Sequence, residues 1–446
     1  MALGPRQQLV VGRADSARIR KEFGYVVQQW NHARWLSTGN KYALEAVGQL
    51  EIDTSPGGAL AHRQLARYIA ASTLMHCVDG WSYAARALEA MLSGDTHAAT
   101  HLAYYAELRA AMSLLASGGI GVFDDRHFVV TKNGSCERVN GRTHGFAWDA
   151  LSHWATRPDS SKLVLEAIRP GGIPLEKWLP HFPAAPGTGV QAKLVASWLL
   201  EWGIDLQTFV EDRDARNRSS YRPTALPQAR RIDFSRSLQF MEGFWSSFEP
   251  SALHPFRILD RYLLRRSMGQ AFRASKGVSP RRAPRAYMKF VKVLLHQVGP
   301  GDLTPAAWKD FLDLTTPKED SPLITAAEGR EPKDSPLHHV GVIARAAMLL
   351  RVATGASRSL LAVIPPADIT NLRFWWHGFG EDRGYWEASS IPSLLSDLWT
   401  DIQGAVNESE LWRTSSGSRH GFFMAKSLEA RALSTCERIP LWSLGV

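Results

Sequence analysis

The sequence predicts a mainly α protein, built of multi-helix bundle domains with a small β-hairpin insertion near 127–139. Apolar residues recur at three- and four-residue spacing through most of the chain, strict alternation is confined to one segment around Asn133-Gly134, and Gly and Pro cluster between the periodic stretches. With 446 residues, 45% of them hydrophobic and 21% charged, the chain has room for two or three domains and a large buried core.

Residues 1–55 read as an irregular lead-in with one short element near Glu22 to Trp35. Two long helical patterns follow. The first covers 60–92, with Asp79-Gly80 as a candidate break point; the second covers 96–116, opened by Asp95 as N-cap and closed by Gly118-Gly119. The segment HFVVTKNGSCERV then alternates about Asn133-Gly134, a strong hairpin signal. Helix returns over 145–168, and Pro170, Pro174, Pro180, Pro183 and Pro186 mark a loop. Helices are expected at 190–215, 233–247, 255–275 and 285–298, with Pro280 and Pro284 separating the last two. The polar stretch 315–335 reads as part of an exposed linker. A helix over 336–354, a Trp-rich, Gly-punctuated segment and a last helix near Phe422 to Arg438 complete the chain. The expected division is a lead-in (1–55), an N-terminal helical domain with the hairpin (56–170), a central basic helical region (187–312), a linker (313–335) and a Trp-rich helical region (336–446).

Charge is concentrated. Between Arg257 and Lys292 stand eleven Lys or Arg against one acid, Asp260, so this segment alone carries more positive charge than the +9 of the whole chain. Tyr287, Phe290, Val291, Leu294 and Leu295 form one helical face, while Arg285, Lys289, Lys292 and His296 form another. Arg257, Arg261 and Arg265 repeat the design at four-residue steps, beside Phe256, Leu259 and Leu263 for the core. Paired helices presenting Arg257, Arg261, Arg265, Arg266, Arg281, Arg282, Arg285, Lys289 and Lys292 would neutralise phosphates and make affinity fall with salt. A solvated basic face, or one meeting an acidic protein, is the competing reading. An anionic membrane is not an expected partner, because the apolar faces read as core stripes without a Trp anchor.

Sixteen Trp at largely helical spacing point to core packing rather than base stacking. Cys77, Cys136 and Cys436 are too few and too far apart for a disulfide framework or a zinc site. His97 and His101 share a helix face at ligand spacing, but the Glu of a zinc protease helix is replaced by Ala98 and no third ligand is identifiable, so no metal or other cofactor is expected. No phosphate-binding loop or nucleophile elbow occurs. The N-terminus lacks the apolar stretch of a signal peptide, and the most apolar segment, 341–363, is interrupted by Arg345, Arg351 and Arg358; a cytoplasmic location is expected. The tetrad Arg109 to Met112 is echoed by Arg345 to Met348, a weak internal repeat of a kind that Ala-rich helices also produce by chance.

The segments HLAYYAELRAAMSLLASGGIGVF (101–123) and ARNRSSYRP (215–223) resemble the long helix and a polar junction of bacterial YaaC-type proteins and related HEPN-like helical domains. That resemblance implies a compact helical bundle from a class that includes metal-independent ribonucleases of prokaryotic toxin and phage-defence systems, together with inactive binding modules. The active members carry an Arg, a polar residue and then a His four to six residues on. Arg216-Asn217 matches the first part, whereas Tyr221 stands at the histidine's place. An unperturbed tyrosine titrates near about 10 and moves a proton poorly at neutral pH, so Arg216 would stabilise phosphorane charge while Asn217 and Tyr221 orient groups. Arg138 to His144 and Arg413 to His420 also fit the spacing, at a frequency chance supplies. The expected function is nucleic-acid binding, to RNA or DNA, by a component of a defence or toxin-type system. The alternatives are a metal-independent endoribonuclease and a non-catalytic scaffold holding acidic protein partners in a multi-subunit complex.

Overall fold

The computed structural model describes residues 3–182, 233–251, 254–329 and 338–444. The helix expected at 190–215 and the motif residues Arg216, Asn217 and Tyr221 lie outside the described residues, as do Trp198, Trp202 and the linker positions 330–335. The fold is mainly helical with one small antiparallel sheet, as the patterning predicts.

Three long helices make the centre. His62–Ser93 and Thr96–Ser117 fold back on each other through Gly94, which takes the left-handed conformation (φ 90°) that a side chain resists, and Asp95, whose carboxylate accepts from Ala98 N at 2.9 Å. His338–Leu361 packs against both. The break expected at Asp79-Gly80 is absent, because tertiary contact overrides the low helix propensity of glycine. A Cβ on Gly80 would stand 2.6 Å from Leu350 Cδ2, so the missing side chain is what lets the third helix approach. The His338–Leu361 helix is apolar and long enough to cross a bilayer, yet it lies buried inside the protein with its arginines bound internally. It belongs to the same core as the N-terminal pair, so the division expected at 336 runs through a shared core.

The lead-in forms three helices, Pro5–Val11, Ser16–Val27 and Ala46–Asp53, in place of one short element. Ile19, Phe23 and Val26 are buried at helical spacing along Ser16–Val27, and Trp30 is buried in the 3-10 turn that follows. The expected 145–168 helix is two, Thr143–Ala155 and Pro158–Ala167: Arg157 precedes a proline and turns extended (ψ 146°), freeing its guanidinium to donate to Ala14 O at 2.7 Å. The hairpin stands where the alternation put it. Strand Arg126–Val130 pairs with Cys136–Asn140, Val130 facing Cys136, and a short strand Ile120–Gly121 adds to the other edge. Gly134 in the turn has φ 86°.

Two further expectations are corrected. The linker read over 313–335 contains the helix Pro322–Glu328, whose Leu323 and Ile324 are buried beneath His338–Leu361 and Phe234–Ser247. The last helix is divided into Arg419–Ala425, Ser427–Ser434, a 3-10 turn at Cys436–Arg438, and Ile439–Leu444. Cys77, Cys136 and Cys436 are buried free thiols.

The basic helix Arg257–Lys276 is fixed to this centre through its one acid. Arg351 donates from Nε to Asp260 Oδ1 at 2.9 Å and from Nη2 to Oδ2 at 2.7 Å, and both side chains are almost fully buried. Arg169 N donates to the same carboxylate at 2.8 Å, Arg351 Nη2 also donates to Ala167 O at 2.8 Å, and the guanidinium lies over the Phe256 ring at 4.2 Å. Losing one partner strands the other in a low-dielectric interior. Asp260→Ala is expected to lower the unfolding free energy by about 3–5 kcal/mol in urea titration, and the double variant Asp260→Leu/Arg351→Met to cost less than the two single changes together.

A second buried group sets an acid limit. His127 Nδ1 accepts from Phe123 N at 3.2 Å, so Nε2 is the donor to Gly141 O at 2.9 Å, and the ring stacks on Phe146 at 3.9 Å. Burial, partly opposed by the Gly141 carbonyl and Asp125, pushes its pKa down to about 4. The unfolded chain therefore binds this proton first, and stability falls as pH drops from about 6.5 toward the folded value. Between about pH 7 and pH 5 the wild type is expected to lose about 2 kcal/mol more than His127→Gln in parallel urea titrations.

Candidate nucleic-acid interface

The eleven cations between Arg257 and Lys292 divide into two groups. Four face inward or toward acids. Arg261 is buried and binds Asp302 through Nε at 3.0 Å and through Nη2, with its guanidinium also over Trp308. Arg265 is 3% exposed and lies against the rings of Tyr262 and Phe311. Arg266 is held by Glu328 and by Asp320 at 3.5 Å, and Arg257 stands 3.7 Å from Glu249. Placing Arg261 and Arg265 on the outward face is therefore corrected, while Arg257 and Arg266 are half-buried and paired with acids. The four-residue steps Arg257, Arg261 and Arg265 run alongside Asp260 and Leu264; Arg257 meets Glu249 just ahead of the helix, and the acid of Arg261, Asp302, arrives from a distant segment.

The other seven, Arg273, Lys276, Arg281, Arg282, Arg285, Lys289 and Lys292, are exposed, and none forms an ion pair with another described residue. They follow one another along the last turn of Arg257–Lys276, the Ser279–Ala283 turn and the helix Pro284–Val298. In that second helix Tyr287, Val291 and Leu294 are fully buried. At 3.6 residues per turn, Arg285, Lys289, Lys292 and His296 fall on the opposite side. Its first turn carries Arg285 and no acid, and its N-cap, Ala283, supplies no side-chain hydrogen bond. A cation there adds to the positive end of the helix dipole instead of offsetting it.

Behind the turn lies a cavity of about 330 Å³, open to solvent, bordered by Arg265, Arg266, Arg273, Arg281, Lys318 and Asp320. Sequence reasoning missed it, because Lys318 belongs to the segment read as linker. Leu314 reaches the same wall because position 269 is glycine; a Cβ there would stand 2.9 Å from Leu314 Cδ1.

The remaining candidates are dispersed. His101 packs on the Tyr105 ring at 5.1 Å, and no group of three His, Cys, Asp or Glu suited to a metal occurs among the described residues. His144 Nδ1 is 2.9 Å from Tyr104 Oη, with Trp148 Nε1 donating to that oxygen at 3.4 Å, while Arg138 donates to Asn140 instead. Arg413 is taken by Glu242 at 2.9 Å, which raises the pKa of the guanidinium, and does not meet a histidine as a catalytic pair would. The two echoed arginines bind different partners, Arg109 to Asp79 at 2.8 Å and Arg345 to Glu107 at 3.8 Å. Comparison with protein-family models, with curated proteins and with solved structures gives no match to this chain.

Proposed function

We propose that the protein binds nucleic acid through the exposed cations running from Arg273 to Lys292. The observation that carries this reading is the contiguity of seven exposed cations without an acid among them, across a helix end, a turn and a helix start. A surface that only needed solubility would intersperse both signs, since a one-sign field repels itself and destabilises the compact state. Here repulsion is increased by the helix dipole at Arg285, and a polyanion would relieve it. Three of the inward cations support the reading by subtraction: Arg257, Arg261 and Arg266 are already answered by Glu249, Asp302, Asp320 and Glu328, so the outward set is what a partner at the surface meets. A run of exposed Arg and Lys is the kind of surface that meets phosphate oxygens, so the expected affinity is for the phosphate backbone.

The test is fluorescence anisotropy with mixed-sequence single-stranded RNA and DNA across a salt series. Wild type is expected to show affinity falling steeply with salt, and the triple variant Arg281→Glu/Arg282→Glu/Arg285→Glu to reduce the slope of log K against log salt by about two units or more. Equal slopes in the two proteins would reject the placement. The same RNA held in EDTA separates binding from cutting: intact RNA alongside tight binding removes the ribonuclease alternative.

A further inference from the structure

The cavity behind the basic turn differs from the open surface in one respect. It is walled by a buried cation that no described residue neutralises. Among the described residues Arg265 has no carboxylate partner; Nη1 donates to the Glu319 carbonyl at 3.2 Å, and Nε and Nη2 meet no hydrogen-bond partner. Two aromatic rings, Tyr262 and Phe311, hold the guanidinium in place without cancelling its charge. A buried charge without a counter-ion is costly, and buried polar groups without partners are rare enough to call for a cause.

Around it the cavity gathers Arg266, Arg273, Arg281 and Lys318. Arg266 is answered by Asp320 and Glu328, and Lys318 by Asp310 at 2.8 Å, whereas Arg265, Arg273 and Arg281 have no carboxylate partner among the described residues. Three unanswered guanidinium groups on one cavity match a compact dianion, and planar N–H forks suit tetrahedral oxyanions. Its volume, about 330 Å³, is far more than a bare phosphate fills and lies at the lower end of ligand pockets. No aromatic side chain lines it as a stacking platform, so recognition is of the phosphate and not of a base.

We propose that this cavity binds a phosphomonoester, with Arg265, Arg273 and Arg281 as its ligands. The dianion would come either from the 5′-terminal phosphate of a strand or from a free mononucleotide; the first source rests on the nucleic-acid reading above, while the cavity itself does not. A terminal phosphate carries a second negative charge that an internal phosphodiester lacks, which is what an excess of positive charge around one cavity would select.

Isothermal titration with AMP, with adenosine, and with matched oligonucleotides bearing a 5′-phosphate or a 5′-hydroxyl tests this. AMP is expected to bind and adenosine not. The exposed-residue variant Arg273→Ala should weaken AMP about tenfold or more without affecting the fold, and Arg265→Met, which keeps the volume, should weaken it further. Preference for the 5′-phosphate oligonucleotide, lost in Arg273→Ala, assigns the strand end as source; AMP binding with equal affinity for both oligonucleotides assigns the free mononucleotide. No AMP binding, or AMP binding unchanged in both variants, overturns the site. If oligonucleotides still bind in a salt-dependent way in that case, the surface reading survives; if AMP binds and no oligonucleotide does, the surface reading fails and the site stands.

Discussion

Asp260 is the constraint on which the arrangement of the basic region depends. It is the single acid among eleven cations, and it is turned inward, where the Arg169 amide and Arg351, itself over the Phe256 ring, converge on it. A helix fixed at this point can rotate little about its axis. With Asp260 buried, the neighbouring positions Arg261 and Leu264 are carried to the packed side as well, and the fully exposed cations of the helix, Arg273 and Lys276, stand near its C-terminal end. One buried ion pair thus helps to decide which arginines face the interior and which face solvent.

That division explains why the basic region was only partly legible in the sequence. Local periodicity placed the Pro284–Val298 helix correctly, because its buried face, Tyr287, Val291 and Leu294, is made of residues that have no other reason to recur at that spacing. The same logic failed one helix earlier, where arginine behaves as an amphipathic residue whose stem and planar head can be buried when an acid or a ring is supplied. The supplier of Arg261 is Asp302, and those of Arg265 are Tyr262 and Phe311. Counting charges along a window registers the cation but not an acid forty-one positions away.

The same limit governs the rest of the fold. Gly80 read as a break because helix propensity is local, whereas its function is to admit Leu350 from the other end of the chain. The polar run after Thr315 read as linker because its charged residues outnumber Leu323 and Ile324, yet two buried side chains are enough to dock a short helix onto a long one. By contrast the Asp95 cap and the Asn133-Gly134 hairpin depend on hydrogen bonds spanning a few residues, and such features are written where they occur.

The choice of side chain along the outward cations carries a further step. Arginine occupies 273, 281, 282 and 285, around the turn and its cavity, while lysine takes 276 before the turn and 289 and 292 along the exposed helix face. A guanidinium imposes direction, because its fork meets two oxygens in one plane; an ammonium is a hydrated point charge with freely rotating donors. Directional groups are of use where a ligand sits in a fixed place, and point charges where a backbone passes in many registers. A chain running along Lys292 and Lys289 would be held loosely by charge and then meet, at the helix start and the turn behind it, groups able to grip one phosphate in one orientation. Sliding contact and terminal capture would then be two ends of one surface, separated by the chemistry of their cations and not by any boundary in the fold.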